Sequence, residues 1–290
     1  QPMRDDKILT GGNGLMISAL ARGAQVLDDT RYARAAARAA EFLKSKLYEP
    51  KQGKLKRRYP AGPAAVDGFL DDYAFLIQGL LDLYETSFDV QWLAWAVRLQ
   101  DRQDEIFWDE GQGTYFATTN ADPSVLFRMR DEYDGAEPSA NSVAAMNLLR
   151  LWQVTDNAER KAKADRTFTA FSNRLKQSPD ALPQLMAALD FGQSKPKQII
   201  IAGKPNAADT RAILRLVHER YIPNKFLILA DGGAAQAQIS RWLPFVEFMR
   251  QRDNKATAYI CENYICRLPT ADLQVVARIL DGQEPQPQVR

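Results

Sequence analysis

Four carboxylates crowd the stretch "RMRDEYDGAEPSANSV", where Asp131, Glu132, Asp134 and Glu137 stand just ahead of an apolar helical run. Two earlier stretches share its form. "RDDKILTGGNG" brings Asp5, Asp6, Lys7 and Asn13, and "DGFLDDYAF" brings Asp67, Asp71, Asp72 and Tyr73. Carboxylates in pairs suit acid–base work on glycosidic or hydroxyl-bearing substrates. If the three helices that follow run parallel, these loops meet at one mouth and the positive helix ends point into it. On this reading Asp72 and Asp134 are the catalytic acid–base candidates, and Asp6, Asn13, Tyr73, Glu137 and Asn141 position substrate. Tyr59, Phe69, Trp108, Tyr115 and Tyr133 supply rings for stacking on a sugar. The competing reading is structural: acids near a helix start satisfy orphan N–H groups and the helix dipole. Ser139, preceded by Pro138, is the expected cap of the third helix, and Asp131 and Glu132 read as surface charge.

Other motifs carry less. "TGGNG" hints at an anion cradle before a helix, yet matches neither glycine-rich phosphate fingerprint. The lone His218 has no nucleophile elbow to serve and reads as structural. Cys261 and Cys266, a C-x4-C pair, cannot complete a four-ligand zinc site and read as two reduced thiols at a strand end. The strand-end loops "IAGKPNAAD" and "LADGGAAQ" lie where open α/β sheets take ligands and form a second, weaker candidate site. No metal or cofactor is expected.

The elements that must position these residues are helical for the first two thirds. Residues 1–192 read as three helical hairpins, their first helices starting near 13, 69 and 139 and almost wholly apolar, their second helices charged. That is an inner and an outer layer, a segment of an (α/α)6 toroid. Thr30 is the expected cap of the second helix, and a shorter helix is read in "ALPQLMAALDF". "KQIIIAG", "KFLILA" and "ATAYIC" then alternate with helical segments, which predicts a small α/β domain over residues 193–281 with a parallel sheet. Residues 282–290 read as a loose tail.

The bulk numbers agree with a globular chain. Its 290 residues include 46% apolar and 26% charged types, and the net charge of +2 provides no field for nucleic acid. No apolar run approaches the roughly 18 residues of a membrane span. The start "QPMRDDKILT" has no apolar signal core, so a cytoplasmic place is expected, and a chain that begins at Gln1 reads as a piece of a longer parent.

Five blocks, "DDKILTGGNGLMISALA", "GFLDDYAFLIQGLLDLYE", "DGAEPSANSVAAMNLLRL", "YIPNKFLILADG" and "ATAYICENYICRLP", together resemble the C-terminal half of the spermatogenesis-associated, thioredoxin-domain-containing proteins and their bacterial relatives. The resemblance covers residues 3–281. It implies a toroid similar to six-hairpin glycosidases and sugar epimerases, with a sugar-like ligand. It also implies a parent that carries the other half of the ring and a thioredoxin-like domain, neither of which is in this chain. The first block departs from the family pattern T-x-W-N-G by placing Gly12 where an aromatic is usual. The alternative function is a non-catalytic binding or scaffold module within a redox parent.

Overall fold

The three hairpins repeat one local solution. In this computed structural model, which describes residues 6–59, 66–120, 125–262 and 265–283, strand β1 (Ile8–Leu9) leads into α1 (Thr10–Leu27), which returns as α2 (Thr30–Lys46). Asp5 and the expected tail at 284–290 lie outside the described residues. Helices α3 (Leu70–Ser87) and α4 (Val90–Phe107) form the second hairpin, α5 (Ala140–Thr155) and α6 (Ala158–Ala170) the third. Each first helix ends on a left-handed residue: Asp28, Phe88 and Asp156. The next residue, Asp29, Asp89 or Asn157, then caps the returning helix by accepting from the N–H two positions on. The cap of α2 is therefore Asp29 and not Thr30, because the left-handed turn brings the carboxylate to the helix start one residue earlier. Ser139 caps α5 as expected, accepting from Ser142 N at 3.1 Å.

Short antiparallel ribbons join the hairpins. β2 (Tyr48–Glu49) pairs with β3 (Lys54–Leu55), β4 (Arg58–Tyr59) with β1, and β5 (Trp108–Asp109) with β6 (Thr114–Tyr115). After α6 come α7 (Ser172–Gln177) and α8 (Pro183–Gln193), which packs beside α5.

Helices α1, α3 and α5 run parallel as the inner layer. Their closest approach is made by glycine. A Cβ on Gly14 would lie 2.6 Å from the backbone of Phe75 and Leu76, and one on Gly79 would lie 2.5 Å from the Gly14 carbonyl. The glycines of "TGGNG" thus sit inside α1, and Gly14 serves helix packing, so the hint of an anion cradle there finds no support. Helices α3 and α5 are buried nearly all round. The expectation fails for α1, where Met16, Val26 and Leu27 are exposed, because α1 is the edge of the inner layer and within that layer packs only against α3.

The sheet follows β7 (Lys197–Ala202), α9 (Ala208–His218), β8 (Lys225–Ala230), α10 (Ala234–Ser240), β9 (Thr257–Glu262), β10 (Ile265–Cys266) and α11 (Leu273–Leu280). Its order is β10-β9-β7-β8. β7 and β8 are parallel, as read, but β9 is antiparallel to β7. The reason is a turn at Asp253 and Asn254, both left-handed, which launches β9 from beside the C-terminal end of β7. Alternate strand residues face opposite ways. Ile200, Phe226, Ile228 and Tyr259 join the core of the hairpins, whereas Ile199, Ile201, Leu227 and Ile260 pack with Ile213, Val217, Val276 and Ile279 of α9 and α11. Burial on both faces explains the unbroken apolar runs. Cys261 and Cys266 face each other across β9 and β10 and are joined as a disulfide, which corrects the reading of two reduced thiols. Spacing alone could not reveal that the chain reverses between them.

Candidate functional site

The polar loops do converge at the N-terminal end of the inner helices. Asp72, in the first turn of α3, is only 1% exposed. Its Oδ1 accepts from Gly11 N of α1 at 2.9 Å, and its Oδ2 accepts from Phe69 N at 2.9 Å and from Arg57 Nη1 at 2.9 Å. One carboxylate thereby closes the start of its own helix and ties down the start of the next. Burial, and then the charge of Asp71 beside it, push Asp72 up to about 7 against the pull of Arg57 and the backbone donors. Asp71 is the more open of the two and shares the Arg57 guanidinium at 2.8 Å. Arg57 in turn lies over the Phe69 ring, 4.5 Å from its centre.

The third loop is drawn in by main-chain bonds. Leu70 N donates to Ala117 O at 3.0 Å, and Ala117 N to Met129 O at 2.8 Å. Arg128 and Arg130 stack on Phe116, and Arg130 pairs with Asp109. The next residue, Asp131, therefore comes within electrostatic reach of Asp71 although its side chain stays exposed. Partial desolvation and the Asp71 charge raise its carboxyl above the usual range. Sequence reasoning set Asp131 down as surface charge, and no local signal marks it otherwise. Phe127, Met129 and Tyr133 stand exposed on the same segment.

Other positions expected to touch substrate fasten the scaffold. Both oxygens of Asp134 accept from backbone N–H groups: Ser139 at 2.7 Å, Gln184 at 2.8 Å and Leu185 at 3.4 Å. It is a counter-charge between the starts of α5 and α8, so the helix-start explanation accounts for it. Tyr73 is 1% exposed; its hydroxyl accepts from Leu55 N at 2.9 Å, and burial pushes it up to about 12. Asn141 is fully buried and clips β6 to α5, accepting from Tyr115 N at 2.9 Å and donating to Tyr115 O at 3.0 Å. Asn13 donates to Leu9 O one turn back. Asp6 and Glu137 are exposed. Among the expected rings, Tyr115 is buried in the core and Tyr133 remains open. A Cβ on Gly12 would meet nothing within 4 Å, so the position that usually carries an aromatic opens onto free space.

The accessible carboxyls at the mouth are therefore the half-buried Asp71 and the exposed Asp131, beside the buried Asp72 and the half-buried Arg57. Among the described residues, no group of three His, Cys, Asp or Glu is placed to hold a metal ion, and no helix is long and apolar enough to cross a membrane. His218 is partly buried and held neutral by desolvation, pushed down to about 4.

No protein-family model matches the chain. It is 44% identical over 281 residues to spermatogenesis-associated protein 20 of Homo sapiens, covering 94% of this chain and 36% of that protein. The Rattus norvegicus protein of the same name is 45% identical over 277 residues, at 92% and 35% coverage. An uncharacterized Caenorhabditis elegans protein is 32% identical over 291 residues, at 97% and 38% coverage. The chain spans little more than a third of the length of these relatives. Among solved structures, a GH76 α-mannanase of Bacteroides thetaiotaomicron superposes with a TM-score of 0.48 at 16% identity, covering 60% of this chain and 46% of that one. A D-mannose isomerase gives a TM-score of 0.48 at 12% identity, at 95% and 70% coverage. Likeness at that level does not carry a reaction across.

Proposed function

This chain belongs, over nearly its whole length, with the spermatogenesis-associated proteins, and on that footing we propose that it contributes a carbohydrate-directed acid–base site at the mouth of its inner helices. One observation carries the reading: the half-buried Asp71 and the exposed Asp131 lie within electrostatic reach of each other, and Asp71 shares Arg57 with the buried Asp72. Asp131, with its raised affinity for a proton, is the acid that protonates a leaving oxygen. Asp71, held on Arg57, is the carboxylate that assists the attacking group. Phe127, Met129 and Tyr133 offer an apolar rim against which the C–H face of a sugar ring packs. Asp72 stays out of contact with ligand and positions Asp71 through their shared guanidinium.

The test uses this chain with a panel of mono- and disaccharides, following binding by calorimetry and bond cleavage or epimerisation by NMR. Asp131→Asn should keep binding within a few-fold and lower turnover by about a hundredfold or more, the usual worth of a positioned acid. Turnover that is unchanged in both Asp71→Asn and Asp131→Asn would sink the reading.

A second reading has its own support. The carboxylates of Asp72 and Asp134 are spent on backbone donors, as suits a rigid binding or scaffold module within a longer redox parent. A saccharide that binds but is never turned over would favour it.

A further inference from the structure

Well below the mouth, α3 carries a second polar group that the acid–base reading does not use. From Asp71 to Asp82 is eleven residues of one helix, about 16 Å at roughly 1.5 Å per residue. There residues of α1, α3, α5, α8 and the 217–225 segment line an open cavity of about 620 Å³. That is ample room for a small ligand, since binding sites commonly run from about 300 to 1,000 Å³.

The lining is charged and unusually well ordered. Asp82, 3% exposed, accepts from Ser18 Oγ, from Arg22 Nε at 3.0 Å and from Arg150 Nη2 at 2.8 Å. Arg150 Nη2 also bonds Glu85 at 2.6 Å, and the other Glu85 oxygen accepts from Leu227 N at 3.2 Å. Two carboxylates thus face two guanidiniums, and their charges cancel. Of the remaining charges in the lining, Asp190 accepts from Asn224 Nδ2 at 2.7 Å and Arg220 pairs with Asp281 at 2.7 Å. Lys225 Nζ reaches the Ile222 carbonyl at 3.3 Å, and among the described residues no carboxylate lies within ion-pair distance of it. Arg150 is 5% exposed, and its Nη1 has no hydrogen-bond partner among the described residues. A buried guanidinium N–H left unpaired is costly. Over the whole lining, Arg22, Arg150, Arg220 and Lys225 stand against Asp82, Glu85 and Asp190, a formal surplus of one positive charge, and Ser18, Gln25, Gln78, Gln184 and Asn224 supply hydroxyl and amide groups beside it.

We infer that this cavity binds a small polyhydroxylated anion, a sugar acid or a sugar phosphate, whose anionic group sits between Lys225 and Arg150. The hydroxyl-bearing part lies along Ser18 and Gln78. Carboxylate and phosphate both match an ammonium set beside a guanidinium edge, so the shared chemistry is the anion and the experiment separates the two. The site is independent of the one at the mouth, because none of its residues is Asp71, Asp72 or Asp131.

Calorimetry on this chain with D-gluconate, D-glucose 6-phosphate, inorganic phosphate and neutral D-glucitol tests it. At least one of the two organic anions should bind ten or more times as tightly as glucitol, and whichever it is names the anionic group. Lys225→Met, which keeps the aliphatic stem, should weaken that binding at least tenfold. Arg22→Gln should weaken it less, since Arg22 acts by neutralising Asp82. Thermal melts of both variants check that the fold is intact. Equal affinity for glucitol and the organic anions, no binding of either anion, or an affinity unmoved in a folded Lys225→Met protein would each overturn the inference. So would inorganic phosphate binding as tightly as the organic anions, because the hydroxyl contacts would then contribute nothing. Asp71→Asn should leave this binding unchanged even if it abolishes the activity proposed at the mouth.

Discussion

Helix α3 holds a buried carboxylate near each end, and the two are driven in opposite directions. Asp72 is 1% exposed and Asp82 is 3% exposed, so both have lost almost the same access to water. Burial alone would raise both. At Asp72 the largest influence after desolvation is another carboxylate, Asp71, and the single Arg57 is shared between the pair, so the group rises to about 7. At Asp82 burial also pushes upward, but Arg150 and Arg22 outweigh it and hold the carboxyl below its usual range. The same side chain on the same helix is a proton reservoir at one end and a fixed anion at the other. What differs is the count of guanidiniums per carboxylate, supplied by other elements. The mouth has the unsettled charge that acid–base chemistry needs, and the floor has the settled charge that holds a binding wall in place.

The sharpest way to break the contrast is to remove the guanidinium that settles the floor. Arg150→Met should destabilise the fold by about 3–5 kcal/mol, because Asp82 and Glu85 would be left buried together without their shared partner. Urea unfolding at neutral pH measures it, and a loss below about 1 kcal/mol would mean that the floor is not desolvated.

Titration separates the two ends next. Asp72 gives up its proton near 3.8 when unfolded and near 7 when folded, so it makes stability fall as pH rises from about 4 to 7 and adds no further slope above that. Asp82 works the other way: its contribution is complete above 3.8 and is lost as pH falls through its lower folded value. Asp72→Asn should remove a fall on the order of 2 kcal/mol between pH 4.5 and 7. The readout is the difference between parent and variant. His218, held down to about 4, makes stability rise with pH between 4 and its ordinary 6.5 and must be cancelled out. A difference that does not change with pH would mean that Asp72 is ionised throughout.

The smallest effect belongs to the mouth's open edge. Gly12→Trp should leave stability within about 0.5 kcal/mol or raise it slightly, since the new side chain meets open space and glycine is a poor residue inside a helix. A large drop in melting temperature would show that the position is closed.

Much of this was legible beforehand where the signal is local. Helical period and polar loops placed the three hairpins, and Ser139 was recognisable as a cap from its own neighbours. The strands were readable from their apolar runs, but the direction of β9 was not, because it depends on a turn beyond the strand. At the site, which acids in the loops are engaged by backbone donors was not legible from their types or spacing. Asp134 looks like Asp131 in sequence, and only the approach of α8 shows that its oxygens are already engaged.

The sequence by itself determined the periodicities: which segments are helices, which are buried strands, and which polar loops precede the inner layer. Those follow from hydrophobic spacing and capping, which act over a few residues. Tertiary structure alone decided the surroundings of each acid. The donors that settle them come from far along the chain: Gly11 reaches Asp72 across 61 positions, and Leu227 reaches Glu85 across 142. Electrostatic and hydrogen-bond energies depend on distance in space and on the water excluded between partners, and neither is written in the order of the residues.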